Sequence, residues 1–426
     1  MSKDRPLGRL LDYYQYTAAV ADSRIARQAR TRPEVTVISW PGSIPALPDS
    51  GSALSWVRAE RANLLACLGH ARRTDQDARV IALTAALADL LRRDGPWSDA
   101  MAWHMAAIEA SRRLGEPLAE ANAMTELGII KRATGNYREA AQELETALDI
   151  YRGIGNRIGE ANSLNELGLT RRLTGEHEDA ARTHELALAL YRELDDQLGA
   201  ANAHRYLGVV QQQTGELDRA ARNQETALAI YRSLDDRLGE ADSLSELGLI
   251  FRDTGNYREA AGALETALSL YLNLGDRIGQ ANVLNYWGTV RHRTGNHQDA
   301  TQMMESALAI YHAIGDPMGQ ANAHRYLGIM RQEIGNYQAS EKALKAAFNL
   351  YLRLDDRLGQ ANALAELGIT QQLEGESGES AGNLETALGI YRDLDRKNHT
   401  ARLAAAMQRV MNTLTLIENH VEQHRI

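Results

Sequence analysis

The chain is 426 residues long, with 47 Lys and Arg against 56 Asp and Glu and a formal net charge of −9, a balance that argues against nucleic-acid binding through phosphate neutralisation. Cys67 is the only cysteine, which excludes an intrachain disulfide and a thiolate metal cluster and fits a reducing, cytoplasmic location. No apolar run is long enough to span a bilayer, and the opening Met-Ser-Lys-Asp-Arg-Pro has no apolar signal core, so neither a membrane nor secretion is expected.

In chain order, residues 1–80 read as an N-terminal helical cap. Apolar residues at helical spacing predict a helix from Leu7 to about Arg30, made amphipathic by Tyr13, Tyr14 and Tyr16. Residues 31–52 carry Pro33, Pro41, Pro45 and Pro48 among glycines and serines, a composition that favours extended and turn conformations. A helical period resumes from Ala53 to Arg73. Residues 81–400 then repeat every forty residues, in eight units. The first, Ile81 to Glu120, is degenerate; seven regular units start at Ala121, Ala161, Ala201, Ala241, Ala281, Ala321 and Ala361. A fixed period of this size marks a solenoid, in which each unit buries its apolar face against its neighbours. Residues 401–426 read as one capping helix over the last apolar end.

Each unit, numbered 1 to 40, reads as a helical hairpin. Position 15 is always glycine, followed by Asn or Glu. Glycine tolerates the left-handed conformation that closes a helix, and Asn136 with Glu139, or Asn256 with Glu259, resembles a capping box for the next one. Asp196, Asp236, Asp276, Asp316 and Asp356 at position 36 suit the N-cap of the following unit. Each helix is then about eighteen residues, or roughly 27 Å, long. Position 8 is glycine in all seven units and positions 20 and 27 are Ala or Ser. Glycine inside a helix is unfavourable, so its recurrence implies close approach of the two helices. Leu at position 7 and Tyr at position 31 fill around that seam.

Leu-Gly at positions 7 and 8 with Ala at 20 and 27 resembles the tetratricopeptide pattern, seven times over about two thirds of the chain. Two features depart from it: the period is forty rather than about thirty-four, and the aromatic at position 24 is usually missing. The resemblance implies an all-α, right-handed α-solenoid of tetratricopeptide-like hairpins with helical caps. More narrowly, DRPLGRLLDYYQYTA, SALSWVRAERANLLACLGHA and the ANxxxxLG…TGxxxxA…ALxxYR repeats resemble the C-terminal sensor half of actinobacterial NB-ARC/tetratricopeptide regulators of the STAND ATPase class. There a nucleotide-binding switch precedes the array. This chain has no GxxxxGK(S/T) phosphate loop and no evident helix-turn-helix, so only the sensor role carries over.

In such arrays the first helices line the concave face, and positions 2, 5, 9 and 12 share one helical stripe. Position 2 is Asn122, Asn162, Asn202, Asp242, Asn282, Asn322 and Asn362. Amides both donate and accept, so this ladder can hold an extended chain by its backbone; it can equally serve bonding between repeats or helix starts. Where position 5 is Arg205 or Arg325, position 12 is Gln212 or Gln332. Where position 5 is Thr125, Asn165, Ser245 or Asn285, position 12 is Arg132, Arg172, Arg252 or His292. One cationic or potentially cationic group in each unit but the last, which has Ala365 and Gln372, points to an acidic peptide or phosphorylated partner. The competing role is structural ion pairing with Glu126, Glu166, Glu246 and Glu366 at position 6.

The string HRYLG recurs as His204, Arg205, Tyr206 and as His324, Arg325, Tyr326, with Tyr286, Trp287 and His292 between them. Arginine with aromatics is the composition of a binding hot spot, although Trp287 and the two position-4 histidines also suit the core. The sequence calls for no cofactor or metal. It has no nucleophile elbow, HExxH or dinucleotide loop, and His420 and His424 lack further ligands. We read a non-catalytic module that binds a protein or peptide in its groove, as sensor or scaffold of a regulatory system. The alternatives are a self-associating homo-oligomeric scaffold, and a small-molecule sensor or enzyme built on the Tyr206 to Tyr326 cluster.

Overall fold

The computed structural model describes residues 6–25, 43–375, 377–396 and 401–423, and the chain divides into two units, Met1–Ala203 and His204–Ile426. The first unit holds α1 (Pro6–Ile25), α2 (Ser50–Ala59), α3 (Arg61–Arg73), α4 (Asp77–Asp94), α5 (Trp97–Leu114), α6 (Pro117–Ala133), α7 (Tyr137–Gly153), α8 (Arg157–Leu173), α9 (His177–Glu193) and the start of α10 (Gln197–Thr214). The second holds the rest of α10, then α11 (Leu217–Ser233), α12 (Arg237–Asp253), α13 (Tyr257–Leu274), α14 (Arg277–Arg293), α15 (His297–Ile314), α16 (Pro317–Glu333), α17 (Tyr337–Arg353), α18 (Arg357–Glu374), α19 (Ser377–Asp395) and α20 (Ala401–Gln423). Among the described residues there is no strand, and no helix is long and apolar enough to cross a membrane. Each unit is an all-α stack of helical hairpins, the solenoid architecture expected from the repeat.

The turns follow the glycines. Gly135 at φ 82° closes α6 with two bonds, from its own N–H to the Arg132 carbonyl (3.1 Å) and from the Asn136 N–H to that of Lys131 (2.8 Å), the Schellman pattern. The capping-box expectation at the next residue is corrected here. Asn136 and Asn256 have no side-chain cap bond; their Nδ2 atoms turn back to Thr134 and Thr254 at 3.1 and 3.2 Å. A threonine just before the glycine competes for the amide that would cap. The position-36 caps do form: the carboxylates of Asp236, Asp276 and Asp356 accept from the N–H groups of Gly239, Gly279 and Gly359 at 2.9–3.0 Å.

The seam inside each hairpin pairs position 8 with position 24. A Cβ on Gly248 would stand 2.6 Å from Leu264 Cγ, and one on Gly128 2.8 Å from Leu144 Cγ. Leu144, His184, Gln224, Leu264, Met304, Leu344 and Leu384 occupy position 24, each packed over the glycine where an aromatic ring was the family expectation. A Cβ on Gly208 would meet Gln224 Nε2 at 2.9 Å and the Ala220 carbonyl oxygen at 3.1 Å. Gly208→Leu is therefore expected to overpack the seam by about 1–3 kcal/mol. A thermal melt superimposable on that of the unmodified chain would contradict this packing.

A second seam escaped the sequence reading. Glycine recurs at position 39, and a Cβ on Gly239, Gly279, Gly319 or Gly359 would collide with the position-31 tyrosine of the preceding hairpin, Tyr231, Tyr271, Tyr311 or Tyr351. Those tyrosines are fully or nearly fully buried.

The N-terminal elements differ in detail from expectation. α1 ends at Ile25 within the described residues; the predicted extension to Arg30 and most of the proline-rich stretch lie outside them. The helix expected over 53–73 is two helices, broken at Glu60 (φ −92°, ψ 7°). Glu60 Oε2 accepts from the Tyr14 hydroxyl of α1 at 2.8 Å, so the break lies where the chain ties to α1. Buried Arg79 adds a second tie, donating to Asp12 at 2.7 Å and Gln15 at 3.1 Å. At the other end α20 packs on α19 and α18, with Arg409 donating to Glu366. The side chains of His420 and His424 lie outside the described set.

Candidate functional site

In six of the seven regular units, position 2 of the first helix meets the tyrosine at position 31 of the same hairpin. The hydroxyls of Tyr151, Tyr191, Tyr271, Tyr311, Tyr351 and Tyr391 donate to Oδ1 of Asn122, Asn162, Asp242, Asn282, Asn322 and Asn362 at 2.6–2.8 Å. The accepting side of the amide ladder is thus committed to holding the hairpins. The Asn282 and Asn322 amide nitrogens donate to nothing among the described residues. Asn162 and Asn202 belong to the first unit and the remaining candidates to the second.

Position 5 is buried unless it is arginine. Thr125, Asn165, Ser245 and Asn285 are each less than a tenth exposed, and Asn165 Oδ1 lies 2.8 Å from His184 Nδ1. Asn285, 3% exposed, sits between helices and not on an open face. Arg205 and Arg325 are long enough to reach past this layer. Each guanidinium lies 4.4 Å from the ring centroid of the next residue, Tyr206 or Tyr326, within cation–π range. Arg205 also stands 3.7 Å from Asp242 Oδ2, and Arg325 lies in the electrostatic surroundings of Tyr351.

Charges converge on Tyr326. Burial raises its phenol, but the Arg325 and Arg252 guanidiniums, with a hydrogen bond from Arg325, outweigh that and Asp253, so it lies below the ordinary tyrosine value. Arg252 on α12 and Tyr326 on α16 therefore feel each other although two hairpins separate them in the chain. Tyr286 on α14, half-buried, helps burial to push up the Tyr311 phenol.

The position-12 groups are mostly paired along the array. Arg132 donates to Glu166 at 2.7 Å, Arg252 to Asp253 at 2.6 Å and Thr289 at 3.2 Å, Gln212 to Asp253 at 3.1 Å and Gln332 to Thr370 at 2.8 Å. His292, 7% exposed, is bonded through Nε2 to Glu333 and through Nδ1 to His297. Position 12 thus meets position 6, 9, 10 or 13 of the next unit, or position 13 or 17 of its own. Sequence reasoning missed the acids at position 13, although the copies disagree there too: Ala133, Leu173, Gln213, Asp253, Arg293, Glu333, Leu373. His204 bonds Asn223 at 2.7 Å, and Trp287 is 9% exposed with Arg291 stacked 5.6 Å from its ring. Both are packed residues. No cluster of three or more metal-binding side chains occurs among the described residues.

A tetratricopeptide repeat model matches residues 80–153, 159–233, 199–273, 239–313 and 319–393. The chain belongs to the tetratricopeptide repeat family. It is 32% identical over 142 residues to regulatory protein AfsR of Streptomyces griseus, an alignment covering 33% of this chain and only 14% of that protein. Among solved structures it is similar to the Rap conjugation gene regulator of plasmid pLS20 in complex with the Phr peptide (TM-score 0.57, 16% identity, 78% of this chain and 95% of that one). It is also similar to a signal transduction ATPase with numerous domains that carries a tetratricopeptide repeat sensor, from Pyrococcus horikoshii (TM-score 0.50, 15% identity, 79% of this chain and 56% of that one). At these identities the likeness is one of fold. In this tetratricopeptide array, then, the constant positions hold the hairpins, and the arginine–tyrosine pairs of α10 and α16 are departures from the scaffold.

Proposed function

We propose that the second unit binds an extended, acidic peptide segment of a regulatory partner, and that the chain acts as a sensor or scaffold module and not as an enzyme. The observation that carries this reading is the pair of half-buried arginine–tyrosine stacks, Arg205 with Tyr206 and Arg325 with Tyr326, with Tyr286 on an intervening first helix. A guanidinium held over a ring is pre-organised, so little side-chain freedom is lost when it grips a carboxylate. The Asn282 and Asn322 amide nitrogens would supply donors for a bound backbone. A Rap regulator of similar fold is complexed with a peptide, which supports the choice of ligand class.

The test is affinity for an array of acidic, neutral and basic peptides. Acidic sequences should bind tightest and weaken with salt. Arg205→Ala, Tyr286→Ala and Arg325→Ala together should cost on the order of ten-thousandfold, at about 2 kcal/mol per hot-spot residue and tenfold per 1.4 kcal/mol, while helical content is kept. Equal affinity for acidic and basic peptides, or an unaffected triple variant, would overturn the proposal.

A further inference from the structure

The first unit contains a cavity of about 600 Å³, the volume of a small-molecule site. Alanines build the space. Ala78, Ala82 and Ala85 share one face of α4 by helical spacing, Ala19 of α1 and Ala123 of α6 line the same volume, and each presents only a methyl group where a larger side chain would close the gap. The lining holds no lysine or arginine; its ionisable groups are Asp22, His104, Glu116, Glu126, Tyr151 and Glu166. All but Glu116, which lies at the exposed rim, are engaged within the chain. Arg132 donates to Glu166 at 2.7 Å and Arg92 stands 3.8 Å from Glu126. The Tyr151 hydroxyl donates to Asn122 at 2.7 Å, and the buried Asp22 and His104 each interact with other groups of the protein. The walls thus hold no buried charge in want of a counter-ion, and an ionic ligand would lose its hydration without gaining a partner.

The uncharged polar lining is also committed, with one exception. Gln15, Asn122, Thr125 and Asn162 are hydrogen-bonded within the chain. Thr84 is a lining residue 1% exposed, and its hydroxyl has no hydrogen-bond partner among the described residues. A buried hydroxyl left without a partner is unfavourable, and a ligand oxygen in the cavity would satisfy it. We propose that this cavity binds a neutral, largely apolar small molecule carrying one hydroxyl or carbonyl oxygen, with that oxygen on Thr84 and the apolar body against the alanine walls. The site is independent of the acidic-peptide reading, which rests on the second unit.

The experiment uses the full chain at neutral pH with four probes of similar shape, phenylbutanol, pentylbenzene, phenylbutylamine and phenylbutyrate, followed by calorimetry and thermal shift. The alcohol is expected to bind saturably and raise the melting temperature. Pentylbenzene, which lacks the hydrogen bond, should bind roughly fivefold more weakly, and the amine and the carboxylate at least about tenfold more weakly. Thr84→Val keeps the shape of the side chain and should abolish the preference for alcohol over pentylbenzene, while the ligand-free chain melts no lower than the unmodified one. Ala82→Phe, which fills the space, should abolish binding of both. An amine or carboxylate that binds as tightly as the alcohol, no alcohol binding at millimolar concentration, or an alcohol preference that persists in Thr84→Val would overturn the assignment. Because the four probes are compared on the unmodified chain, misfolding of either variant leaves the proposal decidable.

Discussion

Raising the pH through about 10 is expected to unfold the second unit cooperatively. Tyr231, Tyr271, Tyr311, Tyr351 and Tyr391 are 0–4% exposed, and burial is the main cause that raises each phenol, Tyr231 to about 12 and Tyr271, Tyr311, Tyr351 and Tyr391 also upward. The folded values lie above the unfolded one of about 10, so in that window the unfolded chain has released protons that the folded chain still holds. Stability is therefore intact below about 10 and is lost as the pH climbs toward the folded values. Each such tyrosine removes about 1.4 kcal/mol per pH unit there. Five acting together remove on the order of 7 kcal/mol per pH unit, comparable with the whole stability of a domain. Tyr326 works in the opposite sense, since its phenol is lowered and it gains stability as pH rises from its folded value to about 10. It is one group against five. Tyrosinate absorbance and far-ultraviolet circular dichroism should change together in an alkaline titration. Phenols that all ionise near the free value while the helices persist would contradict the burial account.

Tyr311→Ala is expected to lower stability by about 3–5 kcal/mol, the range for removing a large buried ring. The ring fills the space beside Gly319, and the hydroxyl donates to Asn282 Oδ1 at 2.6 Å. Tyr311→Phe keeps the ring and gives up only that bond, so about 1 kcal/mol is expected. Asn282→Ala should cost a similar amount, and the two together should show a coupling of about 1 kcal/mol, because each removes the same interaction. Denaturant unfolding of the four chains measures all of this. A loss below about 1 kcal/mol for Tyr311→Ala would mean that the tie is not a stabilising element, and the asparagine ladder would then be left to ligand binding alone.

The neighbours within one hairpin were legible in the sequence because they are set by helical spacing and turn chemistry. Gly128, Ala140 and Ala147 recur on the frame, and the structure uses them where two helices come closest. The candidate site was legible only as a set of exceptions. Arg205, Tyr206, Arg325 and Tyr326 stood out because the copies disagree there, and the structure brings Arg252 into the electrostatic surroundings of Tyr326 from two hairpins away. His292, Asn285 and the accepting side of the asparagine ladder were not separable from scaffold by pattern, since a polar residue repeated on one face reads the same whether it meets solvent or a buried hydroxyl.

The sequence by itself determined the hairpin unit, its forty-residue period and the residues that close each turn, because these depend on contacts between residues near in the chain. Tertiary structure decided the rest. Which cation is paired depends on side chains about forty residues apart, as in Arg132 with Glu166 and Arg409 with Glu366, where one rotamer choice changes an exposed charge into a bridged one. Whether Asn282 offers its oxygen to a ligand depends on where the Tyr311 hydroxyl ends. The cavity beside α1 is a volume that small residues from several helices fail to fill, and a void has no residue of its own in the sequence.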